Sequence, residues 1–328
     1  MSASVSAKKI LALCGGIGGA KLALGLFRVL GSELTVVVNT GDDFEHLGLQ
    51  ISPDLDTVLY TLGSLADPER GWGRAEETWQ FMSALRELGG ETWFQLGDRD
   101  LAVHIQRTEW LHAGKSLSAF TAQTARQFGI QARILPMSDS AVRTIVETDE
   151  GPLQFQRYFV QRRCAPVVRS IHFVGASDAS PAPSVLDIIG APTLRATVIC
   201  PSNPYLSVDP ILAVPGIKAA LTTARAPVIA VSPIIGGKAV KGPTAKIMAE
   251  LGIATTNESI AAHYRGLIDG LVIDESDASD RERVGVPVLI TRTMMLDIID
   301  RDRLAGEIIA FGEELAHAPA ARRTGGRR

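Results

Sequence analysis

Four aspartates stand in two short stretches of this chain, Asn39-Thr40-Gly41-Asp42-Asp43 and Ser52-Pro53-Asp54-Leu55-Asp56-Thr57. They lie just beyond an apolar run, Leu34 to Val38, that reads as a buried parallel strand. In an open α/β sheet, ligands collect outside the carboxyl ends of the strands, so these acids fall where chemistry is usually done. Hard oxygen ligands at such an edge suit Mg²⁺, which pairs one or two carboxylates with substrate phosphates. A structural use is open to the same residues: Asp54 after Ser-Pro can cap a helix running to about Leu62, and Asp42-Asp43 can be turn residues. As a group, the acids are read as a phosphate–metal site.

Two glycine-rich turns offer partners for the phosphates. Gly15-Gly16-Ile17-Gly18-Gly19 ends a predicted strand and opens a helix, where unpaired backbone N–H groups and the helix dipole attract anions. No Gly-Lys-Ser/Thr follows, so this is not a Walker loop, and Lys21 stands one position beyond Ala20. A ribose-binding acid would have to be Asp42 or Asp43, and hydride chemistry is not indicated. The second turn, Ser232 to Thr244, again follows an apolar strand and precedes a helix. Gly236, Gly237 and Gly242 allow close backbone approach, and Lys238 and Lys241 add charge suited to a diphosphate. A flexible surface loop with solvated lysines is the alternative.

Three further turns carry polar groups. Ser202 and Asn203 offer a hydroxyl and an amide to a base or ribose, and both are also ordinary turn residues. Trp93-Phe94-Gln95-Leu96-Gly97-Asp98-Arg99-Asp100 joins two rings that can face a planar ligand to an arginine that can pair with phosphate. A core aromatic pair followed by a helix-capping aspartate is the alternative there. Met137-Ser138-Asp139 is one more polar turn at a strand end. The six histidines show no metal-ligand spacing, and no nucleophile elbow or Cys/His pair stands out.

The elements that position these residues are those of a doubly wound, mostly parallel, Rossmann-like α/β sheet. Strand Lys9–Leu13, the glycine turn, a helix from about Ala20 to Leu30 and strand Leu34–Val38 make one parallel unit. Residues 74–128 turn helical, with candidates near Glu76–Leu88 and Ser116–Phe128. Arg143–Thr148, Leu153–Val160 and Val168–Phe173 read as an antiparallel extension. Strands Thr197–Ile199, Val228–Val231, Leu271–Ile273 and Val288–Ile290 then alternate with helices near Gly216–Arg225, Thr244–Leu251 and Asp300–Ala316. The expectation is a single domain over residues 1–318, with a helical and antiparallel insertion at about 70–175. The basic run at 319–328 is read as a disordered tail.

Composition fits an enzyme of ordinary solubility: 328 residues, 46% hydrophobic and 21% charged. The formal net charge of −3 gives no general pull toward nucleic acid or anionic membrane. Three scattered cysteines fit no disulfide framework, so a reducing cytoplasm is expected. Neither a signal peptide nor a run long enough to span a bilayer is evident.

Taken in order, Gly15–Leu22, Val37–Asp43, Ile51–Leu62, Leu96–Leu101, Leu135–Asp139, Phe155–Val160, Pro201–Pro204, Ile211–Gly216 and Val231–Pro243 resemble the 2-phospho-L-lactate transferase (CofD) family. Ser52–Thr57 and Ser232–Gly236 are its specific pieces; the match loosens after Gly252. The resemblance implies a step in making the deazaflavin coenzyme F420. Members take a guanylylated three-carbon acid, such as lactyl-2-diphospho-5′-guanosine or its enolpyruvyl equivalent. They transfer the phospho-acid to the ribityl hydroxyl of the deazaflavin Fo (7,8-didemethyl-8-hydroxy-5-deazariboflavin) and release GMP. It also implies Mg²⁺ dependence and a homodimer. It places Fo on Asp56 and the Gly97–Asp100 turn, and Mg²⁺ near Asp43, Asp54 and Asp56.

Asp54 and Asp56 do not share a helix face, so they converge only if the first lies in the turn before the helix. Whichever is not bound to metal is then expected to act catalytically, orienting the Fo hydroxyl or taking its proton. Gly15, Gly16, Gly18, Gly19, Ser202, Asn203 and the Gly236–Gly242 loop are expected to hold the guanosine diphosphate side. Asp56, Arg99 and Met137–Asp139 are expected on the Fo side. Lys21, Asn39, Thr40, Asp98 and Ser232 complete the expected substrate contacts. Two other classes are a regulatory, nucleotide-sugar-binding branch of the same kind of fold and a nucleotide-dependent oxidoreductase. The match at Leu96–Leu101 and Phe155–Val160 favours the transferase.

Overall fold

Short apolar runs alternating with helical segments build the chain outward from a parallel sheet. The computed structural model describes residues 9–240 and 242–317; Lys241 and the tail at 319–328 lie outside them. Strand β1 (Lys9–Cys14) is buried after its first residue and runs into α1 (Gly16–Leu30) and β2 (Leu34–Val38). A hairpin, β3 (Phe44–His46) and β4 (Leu49–Ile51), enters α2 (Pro53–Leu62). Helices α3 (Gln80–Glu87), α4 (Asp98–His112) and α5 (Leu117–Gln127) precede β5 (Arg133–Pro136). Strands β6 (Arg143–Thr148), β7 (Gly151–Gln154) and β8 (Val168–Val174) follow, then α6 (Val185–Gly190), β9 (Leu194–Ile199), α7 (Asp209–Ala213), α8 (Ile217–Thr223) and β10 (Val228–Val231). A second hairpin, β11 (Ile234–Ile235) and β12 (Lys238–Ala239), leads to α9 (Thr244–Glu250), α10 (Asn257–His263), β13 (Gly270–Asp274), β14 (Val288–Thr291) and α11 (Ile298–His317).

Seven strands form the central sheet in the order β14-β13-β10-β9-β1-β2-β5, every pairing parallel. Parallel strands covered on both faces need apolar residues at successive positions, which is why these runs lack polar alternation. Side chains alternate across the sheet. Leu11 and Leu13 enter the core beneath α7, α8 and α10, whereas Ile10, Ala12 and Cys14 enter the core beneath α1, α2 and α11. Leu22 and Leu26 of α1 are fully buried in the second core, so truncating either to alanine costs about 2–5 kcal/mol.

The structure bears out the doubly wound class and its antiparallel extension, a three-stranded sheet in the order β7-β6-β8. Three details differ. The expected single insertion at 70–175 is two excursions, because β5 returns to the edge of the central sheet beside β2. The expected strand 153–160 stops at Gln154 and gives way to a π-helical turn, Arg157–Gln161. Helix α1 starts at Gly16 rather than Ala20. Glycines are poor helix formers, so the first turn was invisible to propensity.

Candidate active site

The chain leaves β1 toward β2 and β5 on one side, and β9 toward β10, β13 and β14 on the other. A switch of this kind opens a crevice at the carboxyl ends of the two central strands. One lip is Gly15–Gly19 and the other is Pro201–Asn203. Ser202 Oγ accepts from the Gly15 amide at 3.1 Å and donates to the Gly15 carbonyl at 2.7 Å. A side-chain carbon at Gly18 would stand 2.7 Å from the Pro201 carbonyl oxygen, so the lips meet only because that residue lacks one. The Gly16 amide donates to Asp54 Oδ1 at 2.8 Å. Ile17 and Gly18 come next in the first turn, where amides have no intrahelical acceptor, at the end of the dipole that favours anions.

The acids gather beside this helix terminus. Asn39 Nδ2 donates to Asp54 Oδ2 at 2.9 Å, while Asn39 Oδ1 accepts from the Gly41 amide at 2.8 Å and shapes the turn that carries Asp42 and Asp43. Ser52 Oγ donates to Asp43 Oδ2 at 2.7 Å. All three carboxyls are buried. Burial raises Asp43 to about 7, opposed by the charge of Arg143, the Ser52 hydroxyl and Arg107. Burial likewise raises Asp54 to about 6 against the Asn39 and Gly16 donors. Burial and the neighbouring Asp54 push Asp42 well above the carboxylate range. Asp42 Oδ1 and Asp43 Oδ1 have no hydrogen-bond partner among the described residues. Buried carboxylate oxygens without donors, crowded enough to resist ionisation, match what a hard divalent cation needs.

Asp56 takes a different path. Residues two apart on a helix are rotated by about 200°, and Asp56 points to α4. Arg107 pairs with both of its oxygens, Nη1 to Oδ2 at 3.1 Å and Nη2 to Oδ1, and also donates to the Gln50 carbonyl of β4 at 3.2 Å. His104 Nδ1 lies 3.7 Å from Asp56, and its Nε2 lies 3.1 Å from Asp100, which also accepts from the Tyr60 hydroxyl at 2.5 Å. Asp56, Asp100 and His104 bring ligand atoms within 4.8 Å of one another, but the fully buried Arg107 already supplies the positive charge there. The pairing with Arg107 thus takes up the Asp56 oxygens expected for an Asp43–Asp54–Asp56 metal set, although Asp56 stays close enough to Asp43 to raise it, and Asp42 is the further acid beside Asp43 and Asp54. The condition set by their spacing, Asp54 in the turn before the helix, is not met, since α2 begins at Pro53.

The other expected contacts divide similarly. Asp98 accepts from Thr78 Oγ1 and from the Gln80 and Phe81 amides, so it caps α3. Arg99 is exposed and paired with Glu76 at 2.9 Å. Asp139 accepts from the Ser118 amide and hydroxyl at the start of α5, and Ser138 Oγ donates to the Ser180 carbonyl at 2.6 Å. Met137 is fully buried. Asn203 accepts from the Tyr205 and Leu206 amides and donates to Thr244 Oγ1 at 3.0 Å. Thr40 is buried near the acids, and its hydroxyl lacks a partner among the described residues. Lys21 Nζ donates to the Met295 carbonyl at 3.2 Å, away from the glycine turn. Gly19 packs against Ser202 and Cys14.

The second glycine turn is a hairpin turn. Gly236 and Gly237 have φ of 58° and 69°, the left-handed pair of a two-residue hairpin, and Ser232 Oγ accepts from the Ile234 amide at its base. Both glycine amides donate at 2.8 Å to the carboxylate of Asp277. The cradle expected to receive a diphosphate is thus filled from within the chain. Lys238 is exposed on the second strand.

The family profile described as "2-phospho-L-lactate transferase CofD" matches residues 10–302. The chain belongs to the CofD family. Among its relatives is a protein of Kitasatospora aureofaciens named phosphoenolpyruvate transferase, 43% identical over 322 residues, covering 94% of this chain and 99% of that one. A Streptomyces griseus protein of the same name is 42% identical over 317 residues, with the same coverage. A crystal structure of a UPF0052-family protein from Bacillus halodurans superposes with a TM-score of 0.61 at 15% identity, covering 92% of this chain and 98% of that one. At that identity the likeness concerns the fold.

For this CofD chain, sequence reasoning overlooked two arginines. Arg107 sits mid-helix without a motif, and its partners Gln50 and Asp56 lie 57 and 51 residues earlier. Arg143 starts β6 and read as an ordinary strand residue. The only available signal was its place after the Met137–Asp139 turn.

Proposed function

We propose that the protein transfers a phospho-three-carbon-acid group from a guanosine diphosphate donor to the ribityl hydroxyl of Fo, releasing GMP, as a step toward coenzyme F420. Phosphoenolpyruvate is the first candidate group, in keeping with the names of its relatives; 2-phospholactate and phosphoglycerate are the others. The observation that carries this reading is the bond from Gly16 at the α1 terminus to Asp54 of the acid pocket. It joins a diphosphate-binding helix end to a cluster suited to a cation.

In this reading Asp43 and Asp54, with Asp42, hold Mg²⁺, whose chemistry there is to neutralise charge on the transferred phosphoryl oxygens. The Ile17 and Gly18 amides receive the donor diphosphate, and Lys238 is a further candidate contact. The Fo hydroxyl oxygen bonds to the acid-bearing phosphorus, the bond from that phosphorus to the GMP phosphate oxygen breaks, and the hydroxyl proton passes to a carboxylate of the pocket. A carboxylate oxygen that the cation leaves free would accept it. The Fo ring falls on the side of the Leu96–Arg99 loop. Asp56 takes the role of a positioning residue, holding α2 to α4. The protein is proposed to act as a homodimer in the cytoplasm, without nucleic-acid or membrane partners; among the described residues no helix is long and apolar enough to cross a membrane.

Mass spectrometry of products from Fo and each of the three guanylylated acids tests the assignment. The expected result is the Fo phosphodiester plus GMP, most rapidly from the enolpyruvyl donor, and none in EDTA. No product from any donor would sink the assignment, and full activity in EDTA would remove the cation.

A further inference from the structure

The three candidate acids differ at carbon but share a carboxylate, and no residue assigned so far meets it. Strand β6 begins against the acid pocket: the Thr144 amide donates to the Gly41 carbonyl at 2.7 Å, and a side-chain carbon at Gly41 would lie 2.7 Å from Thr144 Oγ1. Arg143 is therefore the neighbour of a residue bonded to Gly41, which stands two positions before Asp43. It is half-buried, and its Nη1 donates to the Val142 carbonyl at 2.9 Å. Among the described residues it makes no ion pair. Its charge nevertheless opposes the effect of burial on Asp43 more strongly than that of Arg107 does. The other arginines near the crevice are committed: Arg107 to Asp56, Arg99 to Glu76, and Arg157 over the Trp93 ring at 4.8 Å.

We propose that Arg143 binds the carboxylate of the donor's three-carbon acid and so selects acid-bearing donors, a reading that rests on the transferase assignment above. A guanidinium has five N–H donors in a planar fork, and a fork of that shape matches a carboxylate with two parallel hydrogen bonds. The diphosphate already has the α1 terminus and the cation for its charge. The carboxylate is the donor's remaining anion, and it needs a partner at the same pocket because it is three carbons or fewer from the reacting phosphorus. Arg143 is the half-buried cation there.

The test compares two ligands on the full chain with Mg²⁺. One is the guanylylated enolpyruvate. The other is guanosine diphosphate esterified with isopropanol, which keeps the diphosphate and lacks the carboxylate, used as a competitive inhibitor. Arg143→Gln should raise the donor KM by roughly ten- to a hundredfold, the range for losing bonds to a charged group. The KM for Fo and the Ki of the isopropyl ester should stay within about twofold of wild type, and Arg143→Lys should recover part of the donor affinity. Equal weakening of donor and ester would assign Arg143 to the phosphates or to the fold and overturn the proposal, as would an unchanged donor KM. Circular-dichroism melting of both variants separates misfolding from these outcomes. If wild type turns over no donor, the transferase assignment fails first and takes the proposal with it; wild-type turnover with an unaffected Arg143→Gln defeats the proposal alone.

Discussion

On one side of α2, Asp54 joins Asp42 and Asp43 in a pocket where carboxyls are crowded, buried and short of donors. On the other side, Asp56 and Asp100 are equally buried but face Arg107, His104 and the Tyr60 hydroxyl. The first group is lifted toward neutrality. In the second, burial still raises Asp56 against the charges of Arg107 and His104, whereas for Asp100 burial is outweighed by pairing with His104 and Tyr60, which holds it below the ordinary carboxylate range. Burial by itself therefore does not mark a reactive acid. What marks the first group is burial with carboxylate oxygens, Asp42 Oδ1 and Asp43 Oδ1, that no donor among the described residues reaches, a cost that a folded chain leaves standing where something else supplies the charge.

The largest test of this contrast is Asp56→Ala. Removing one partner of a buried ion pair strands the other, so unfolding in urea should show a loss of about 3–5 kcal/mol. Apparent Mg²⁺ affinity of the protein that remains folded should be nearly unchanged. A small stability loss with abolished Mg²⁺ response would mean that the two sides of α2 have been assigned the wrong way round.

Asp54→Asn should do the opposite. The amide oxygen can keep one of the Gly16 and Asn39 donors but not both, so melting should show a stability loss of about 1–2 kcal/mol, while turnover falls by on the order of a hundredfold and more Mg²⁺ is needed. Wild-type rates at limiting Mg²⁺ would reduce Asp54 to a helix-terminal contact.

A smaller effect concerns pH. Asp43 and Asp54 titrate near about 7 and about 6 in the folded protein, against an ordinary 3.8. The folded state thus keeps protons that the unfolded chain releases, and their contribution to stability is lost as pH rises from about 4 to about 7. In EDTA, the melting temperature of wild type should fall through that window relative to Asp43→Asn, and Mg²⁺ should reverse the fall at its upper end. A wild-type curve parallel to that of the variant would show that Asp43 is not held near neutrality.

The smallest expected change belongs to the hairpin outside both groups. Asp277→Ala removes two bonds to the Gly236 and Gly237 amides and should cost about 1–2 kcal/mol in stability. Donor KM should move by no more than roughly threefold, as for an exposed surface contact. A large gain in donor affinity would mean that the carboxylate had been holding a phosphate site closed.

The central sheet was legible because parallel strands write their burial into consecutive residues, and Leu34–Val38 was read with its observed limits. The acid pocket was legible as a cluster, since Asp42, Asp43 and Asp54 are close in sequence as well as in space. The direction in which each aspartate points was not. Asp56 is turned by an arginine on a different helix, and Gly236–Gly237 are filled by an acid 40 residues later in the chain. Asp98 and Asp139 were read as substrate contacts because capping looks forward in sequence, whereas these two cap helices that begin before them, at Gln80 and Leu117. The single-insertion reading failed at β5: a strand end was read before Met137, but nothing in Arg133–Pro136 says which sheet edge it joins, and it pairs with β2.

Ser202 binds both backbone groups of Gly15 across 187 residues of chain. During synthesis, at roughly 5–20 residues per second, the glycine turn and all four acids would leave the ribosome about 10–40 s before their second lip exists. The amino-terminal half can pair β1 with β2, but the β1 edge that later receives β9 stays open in that interval. Ligand competence therefore arrives late and all at once, with the docking of β9. Pausing of translation before residue 200 would leave a nascent chain that carries every acid of the site and an unprotected sheet edge, the combination most prone to capture by chaperones.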